Sequence, residues 1–308
     1  MAVARTKKAP AVVVGIGDDA AVLNLPAGYQ ALVTTDLSIE GVHFRRDWHP
    51  AEAVGHRCLA RGLSDIAAMG GEPVAAFLSL GLPKALPQSW ADRFLRGFEK
   101  LARKFRVPLG GGDVAESPGG VLADIVVLGR VPRGKALLRS GARPGNAIYV
   151  TGELGGSAAA LEKLRRDGRA QRRGSASEAA HFYPQPRLAV GRWLRQRRLA
   201  TAAIDLSDGL STDLGHICEE SRVGAVVSED SIPRANGVRL ELALHGGEDY
   251  ELLFTAPASR RVPQRIAGVR VTKIGQIVKG RGMWLVDARG KRQRLEPRGW
   301  EHFCDSRS

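Results

Sequence analysis

Gly15-Ile16-Gly17-Asp18-Asp19-Ala20-Ala21-Val22-Leu23 is the stretch from which the fold of this chain reads outward. The apolar run Val12 to Val14 enters a glycine turn, two adjacent carboxylates stand at its apex, and a second apolar run leaves. The pattern is that of a short hairpin. Adjacent carboxylates repel, and an unpaired buried charge costs several kcal/mol or neutralises itself. Asp18 and Asp19 therefore point either to a bound cation or to a solvated turn, for which Gly and Asp are favoured on local grounds.

Acids recur at comparable places further along. The segment 30–36 reads as a strand ending in Thr34-Thr35-Asp36. Pro50 opens a helix in which Val54, Cys58, Leu59, Leu63, Ile66 and Ala67 repeat at helical spacing as far as Gly70-Gly71, with Asp65 inside it. A strand over 74–80 and a helix over 87–105 follow. The short run 107–109 then reads as a strand followed, across Gly110-Gly111-Gly112, by Asp113. The near-continuous apolar run 121–131 predicts a central strand buried on both faces.

The segment 133–145 has little apolar periodicity and holds Gly134, Gly141, Pro144 and Gly145, which sets a domain boundary there. The resulting domains are 1–135 and 136–308. In the second, strand 146–151 turns through Gly152-Glu153-Leu154-Gly155-Gly156-Ser157 into an alanine-rich helix. The turn lacks the Gly-x-Gly-x-x-Gly spacing of a dinucleotide loop and reads as a tight strand-to-helix connection. The polar stretch 165–177 reads as a mobile connection, and 186–198 as a helix. Strand 202–206 breaks at Asp205-Leu206-Ser207-Asp208-Gly209, and Leu210, Leu214 and Ile217 give the next helix its apolar face. This places Asp205 and Asp208 where a strand's carboxyl end meets a helix's amino end, a usual ligand position in α/β sheets. An N-cap role explains Ser207 or Asp208 but not Asp205 as well.

A chain of 308 residues is long enough for two domains, and an apolar fraction of 44% with 25% charged residues is ordinary for a globular protein. No apolar run reaches the length of a membrane span. The start, 1–16, does not read as a signal peptide, so the chain is expected to be cytoplasmic. Cys58, Cys218 and Cys304 lack the spacing of a zinc site or a disulfide framework. The formal charge of +14 raises an anionic partner, but the arginine-rich runs are not interleaved with aromatics. No specific nucleic-acid partner and no membrane partner is expected.

Acid-bearing sites supplied by oxygen ligands, without His or Cys clustering, suit Mg²⁺, which commonly arrives with phosphates. Neither a Walker A sequence nor the protein-kinase signature set is present. The sequences at 15–23, Thr34-Thr35-Asp36 with 40–44, Leu63-Ser64-Asp65 within 63–70, 111–113, 205–210 and 246–252 occur in the order of the thiamine-monophosphate kinases, and the chain resembles that family along most of its length. The resemblance implies a two-domain α/β (α+β) protein of the aminoimidazole-ribonucleotide-synthetase-like superfamily. Its N-terminal mixed-sheet domain would pair with that of a second copy into a dimeric β-barrel. A C-terminal α/β sandwich domain would complete the substrate site. The implied reaction is ATP- and Mg²⁺-dependent phosphorylation of thiamine monophosphate to the diphosphate by direct transfer.

Position by position, the resemblance assigns Asp19, Thr34, Thr35, Asp36, Asp65, Asp113 and Asp205 to Mg²⁺, with Asp208 on a further ion. It assigns Gly112, Asp113, Arg139 and Ser207 to ATP, and His43, Glu248 and Trp300 to thiamine monophosphate. Asp36, Asp113, Asp208 and Arg139 would carry the chemistry. A buried core histidine at His43, a surface Arg139 and a core-capping Trp300 are the alternative readings of those residues. Two features depart from the family: its helix before the first strand is replaced by basic residues 1–8, and Gly62 stands where the family often has Asn. Other readings stay open, namely a selenophosphate synthetase, a hydrogenase-maturation enzyme, a purine-pathway synthetase, or an inactive nucleotide- or nucleic-acid-binding protein. The first two are weakened because no Cys precedes Cys58 and Cys304 is not terminal.

Overall fold

The computed structural model describes residues 11–14, 16, 20–168 and 176–299. The described residues divide into two compact units, with the division along the main chain between Ala136 and Leu137. The described residues 164–168 and 182–188 group with the first unit.

In the first unit, β1 (Val12–Val14) and β2 (Val22–Leu23) form an antiparallel hairpin. There follow β3 (Tyr29–Ile39), α1 (Ala51–Ala68), β4 (Glu72–Pro83), α2 (Gln88–Phe105), β5 (Leu109–Ser117) and β6 (Leu122–Pro132). Among the described residues the four longer strands form a mixed sheet in the order β3-β6-β4-β5, with β4 and β5 parallel. The helical stripe read from the sequence is buried: Val54, Cys58, Leu59, Leu63, Ile66 and Ala67 are all inside. They pack with Phe94, Phe98 and Leu101 of α2 and with the inward residues of the sheet, Ile125 and Val127 among them. Two glycines set the helix crossing. A Cβ on Gly55 would fall 1.9 Å from the Phe94 carbonyl oxygen, and one on Gly97 would fall 1.9 Å from that of Glu52. Gly62 acts similarly against the sheet, since a Cβ there would lie 2.6 Å from Cγ2 of Val127. The departure from Asn thus lets α1 rest directly on β6.

Three expectations change here. β3 continues to Ile39, so Asp36 lies within a strand rather than at its end. β5 runs from Leu109 through the glycines to Ser117, which makes Asp113 a strand residue too. β6 alternates buried and half-exposed residues, so one face of this sheet is covered by helices and the other only in part, where Val12 and Leu23 of the hairpin pack with Phe77 and Leu128.

The second unit begins with β7 (Asn146–Thr151), α3 (Gly156–Asp167), α4 (Ala176–Phe182), α5 (Leu188–Gln196), β8 (Ala202–Asp205), α6 (Leu210–Ser221) and β9 (Gly224–Ser228). It continues with α7 (Leu240–His245), β10 (Leu252–Pro257), β11 (Arg265–Ile266), β12 (Val269–Val278), β13 (Met283–Val286) and β14 (Arg292–Arg294). α3 extends over 165–167, which the sequence placed in a connection. The strands form a mixed sheet in the order β14-β13-β9-β12-β7-β10-β8, with β11 beside β12. Its core joins Ile148 and Val150 of β7, Ile204 of β8 and Leu253 of β10 to Leu210, Leu214 and Ile217 of α6. Among the described residues no helix is long and apolar enough to cross a membrane. The fold is thus a mixed α/β arrangement of two units with mixed sheets, and the described sheets are open rather than closed into a barrel.

Candidate functional site

In the first unit the strand alternation of β3 sorts the candidate ligands by face. Thr34, Asp36 and Ser38 share the side on which α1 lies. The Thr34 hydroxyl donates to Oδ2 of Asp65 from the end of that helix. Asp36 faces Arg61, whose Nε is 3.7 Å from Oδ1 and whose Nη1 donates to the Leu37 carbonyl at 2.8 Å. Thr35 points to the other side, so its hydroxyl cannot share a ligand shell with those of Thr34 and Asp36. Asp113 stands opposite Ser79 in the parallel β4–β5 pair, and Ser79 stands opposite Asp124 of β6, itself opposite Leu37. Asp113 is exposed, and its Oδ1 accepts from the Val114 amide at 2.8 Å. Asp124, a half-buried acid one strand away in the same row, escaped the sequence reading because an acid in an apolar run carries no motif.

Gly112 meets the backbone of β4 so closely that a Cβ would lie 2.0 Å from the Leu78 carbonyl oxygen. A glycine is therefore required there by packing alone. Nδ1 of His43 accepts from the Ile39 amide at 3.0 Å, which ties the ring to the turn after β3. Asp19 and Trp300 lie outside the described residues.

In the second unit, β8 ends at the buried Asp205, and the turn through Ser207 and Asp208 enters α6 at Gly209. Ser207 Oγ lies 3.5 Å from Asp208 Oδ2. A third acid was missed by sequence. Asp213, in the first turn of α6, reaches back so that its Oδ2 accepts from the amides of Asp208 and Gly209, each at 3.1 Å. This is a capping-box-like use of an acid just inside the helix, and the Asp after Gly209 at that spacing was its signal. Burial first, then the charges of Asp205 and Asp208, push Asp213 up to about 8. Arg139 lies exposed in the segment before β7, where its carbonyl accepts from the Ser221 hydroxyl.

The segment 246–250 closes over this turn. The Glu248 amide donates to the Ser207 carbonyl at 2.7 Å, and the Tyr250 amide donates to that of Leu206 at 2.9 Å. Glu248 and Tyr250 both have positive φ, 66° and 50°. For residues with a Cβ this costs about 1 kcal/mol or more each and persists only where surroundings enforce it. Oε2 of Glu248 lies 3.9 Å from Nδ1 of the buried His181. Between Glu248 and Tyr250 in the chain, the half-buried Asp249 turns inward: its Oδ2 accepts from the Gly155 amide at 2.7 Å and its Oδ1 from the Ser157 amide at 3.3 Å. These are the amides at the amino end of α3, so a carboxylate of the chain itself occupies the place where a phosphate would sit in a dinucleotide loop.

Burial pushes Asp249 up to about 7, against the two amides that favour its charged form. An unfolded chain would release that proton near pH ~4, whereas the folded chain keeps it to about 7. The folded state binds more protons across this window, so stability should fall as pH rises through it. Asp249→Asn should flatten that part of the profile in urea titrations at several pH values. An unchanged slope would assign the loss to other groups.

The donors that converge on one side of β3, a hydroxyl and two carboxylates, are all hard oxygens. Among the described residues no group of three or more His, Cys, Asp or Glu is arranged to hold a metal ion by itself. Such a partial shell fits Mg²⁺, which usually keeps water and binds through one or two carboxylates together with substrate phosphates.

Residues 17–131 match the family of AIR synthase related proteins, N-terminal domain, and residues 143–287 match its C-terminal domain. Thiamine-monophosphate kinase of Salmonella typhimurium is 41% identical over 283 residues, covering 85% of this chain and 83% of the relative. The crystal structure of thiamine-monophosphate kinase from Stenotrophomonas maltophilia K279a superposes with a TM-score of 0.80 at 37% identity, covering 90% of this chain and 91% of that one. AaThiL complexed with AMPPCP and TMP gives a TM-score of 0.80 at 33% identity, with 94% and 92% covered.

Proposed function

We infer the activity from one premise: this chain belongs to the thiamine-monophosphate kinase family. It is a kinase that phosphorylates thiamine monophosphate at the expense of ATP. The observation that carries this is the likeness, over nearly the whole chain, to a protein held in complex with AMPPCP, an ATP analogue, and TMP. ATP is a cytoplasmic co-substrate, and we place the reaction there.

We propose that transfer is direct. The acceptor is a phosphate oxygen that is already anionic, so no side chain has to remove a proton to activate it. The barrier lies instead in bringing two polyanions together. Bound magnesium would neutralise the phosphates and align them. In the first unit Thr34, Asp36 and Asp65 would hold it on the α1 side of the sheet and Asp113 on the other face, in the row of Leu37, with Thr35 through its backbone carbonyl and with Asp19. Asp205 and Asp208 would do so in the second. Gly112 and Ser207 would take the nucleotide, Arg139 would add positive charge to its phosphates, and His43, Glu248 and Trp300 would take thiamine monophosphate. Acids engaged in this way are poor nucleophiles, so no aspartyl-phosphate forms. ATP made chiral at the γ-phosphorus should yield inverted product. Retention would establish a phosphoenzyme and refute direct transfer.

We further propose a homodimer through the partly covered face of the four-stranded sheet. Val33 and Leu37, on the side of β3 away from α1, are 64% and 46% exposed, an apolar pair that a lone subunit would leave in water. The strands β3 and β5 are also open edges. A second copy pairing there would cover both and give a closed barrel. Replacing Val33 and Leu37 together by Asp should turn a dimer into a monomer by light scattering at micromolar concentration. A wild-type monomer, or a dimer untouched by the double change, would contradict this interface.

A further inference from the structure

We propose that Asp249 is a positioning residue that holds Glu248 in its left-handed conformation by anchoring segment 246–250 to the amino end of α3. Its role for substrate rests on the reading of Glu248 as a contact to thiamine monophosphate.

Asp249 ties the segment to a different element through its side chain, with both carboxylate oxygens on amides at the amino end of α3. Glu248 and Tyr250 are bonded through their amides to the 206–207 turn, and that backbone ladder alone leaves both flanking φ angles unfavourable. The Asp249 carboxylate supplies the opposing grip. It takes two amides that α3 cannot satisfy internally, and the dipole of that helix favours its charge. Two glycines let the segment lie flush on both sides. A Cβ on Gly247 would lie 2.5 Å from the Ser207 carbonyl oxygen, and one on Gly246 would lie 2.4 Å from Cβ of Ala158 in α3. The same end of α3 reaches Glu248 by a second route. Ser157, whose amide meets Asp249, has its hydroxyl 2.8 Å from Nδ1 of His181, and His181 lies beside the Glu248 carboxylate. The side chain of Glu248 is thus aimed by contacts that originate at one helix terminus.

Asp249→Asn keeps the size of the side chain but can accept through only one atom, so one of the two amides loses its partner. Hydrogen exchange on the full chain should then quicken about tenfold or more at the Glu248 and Tyr250 amides, with β12 amides unchanged. In the kinase assay the KM for thiamine monophosphate should rise about tenfold, with the KM for ATP changed less than about twofold. A merely structural role would instead lower the active fraction and leave both KM values alone. Unchanged exchange at Glu248, or uniform acceleration across the unit, would overturn the proposal. Faster local exchange with an unchanged KM would leave the positioning role standing and remove Glu248 from the substrate site. Should Asp249→Asn not fold, Ser157→Pro removes one of the amides from the other side, in a first helical turn that tolerates proline. It should reproduce the local exchange effect that Ser157→Ala, which keeps the amide, should lack.

Discussion

Asp65→Asn should lower kcat/KM for phosphoryl transfer by on the order of 10² to 10³ while the protein stays folded. The argument starts from the strand and helix that meet there. Asp65 sits in the last turn of α1 with its carboxylate against the Thr34 hydroxyl, and Asp36 projects from the same side of β3. Asn keeps the shape and can still accept from Thr34 through its amide oxygen, so packing has little reason to change. What it loses is a negative charge on a set of hard oxygen donors, which weakens a divalent-cation site far more than it weakens a hydrogen bond. The loss should therefore be partly recovered by raising the Mg²⁺ concentration. Steady-state kinetics against Mg²⁺, with circular dichroism as the folding control, read both parts. Full activity in Asp65→Asn would remove this cluster from the metal-binding reading.

Asp205→Asn should produce a comparable loss of activity without loss of folding. Asp205 is buried at the end of β8, and its charge and that of Asp208 both act against ionisation of Asp213. Three carboxylates near one helix start repel one another in the absence of a cation, so neutralising one should leave the metal-free protein at least as stable as before. Function and stability would then pull in opposite directions at one residue, as expected where acids are gathered for a ligand rather than for the fold. Thermal melts without metal and kinetics with it are the two readings. A lower melting temperature together with unchanged kcat would make Asp205 a structural residue.

Much of this arrangement was legible in the sequence, and the misses have physical reasons. The stripe of α1 and the strand-to-helix break at 205–209 follow from local periodicity, and both appear where it put them. Strand ends are different. Asp36 and Asp113 read as terminal because acids and glycines are poor strand formers, yet the pairing of β3 with β6 and of β5 with β4 carries both strands beyond them. The apolar run of β6 suggested burial on both faces, but the sheet has helices on one side and, on the other, an apolar face that the β1–β2 hairpin covers only in part. Periodicity cannot tell burial inside a chain from burial against another copy. Asp213 could have been found from its place after Gly209. Asp249 could not, because the amides it holds are more than ninety residues away along the chain.

The most direct test of the central claim is to incubate the purified chain with ATP, Mg²⁺ and thiamine monophosphate and follow the products by phosphorus NMR. Thiamine diphosphate and ADP should appear in equal amounts, with neither formed when Mg²⁺ is chelated. ATP hydrolysis without thiamine diphosphate, or no turnover under conditions where the Salmonella typhimurium relative is active, would contradict it.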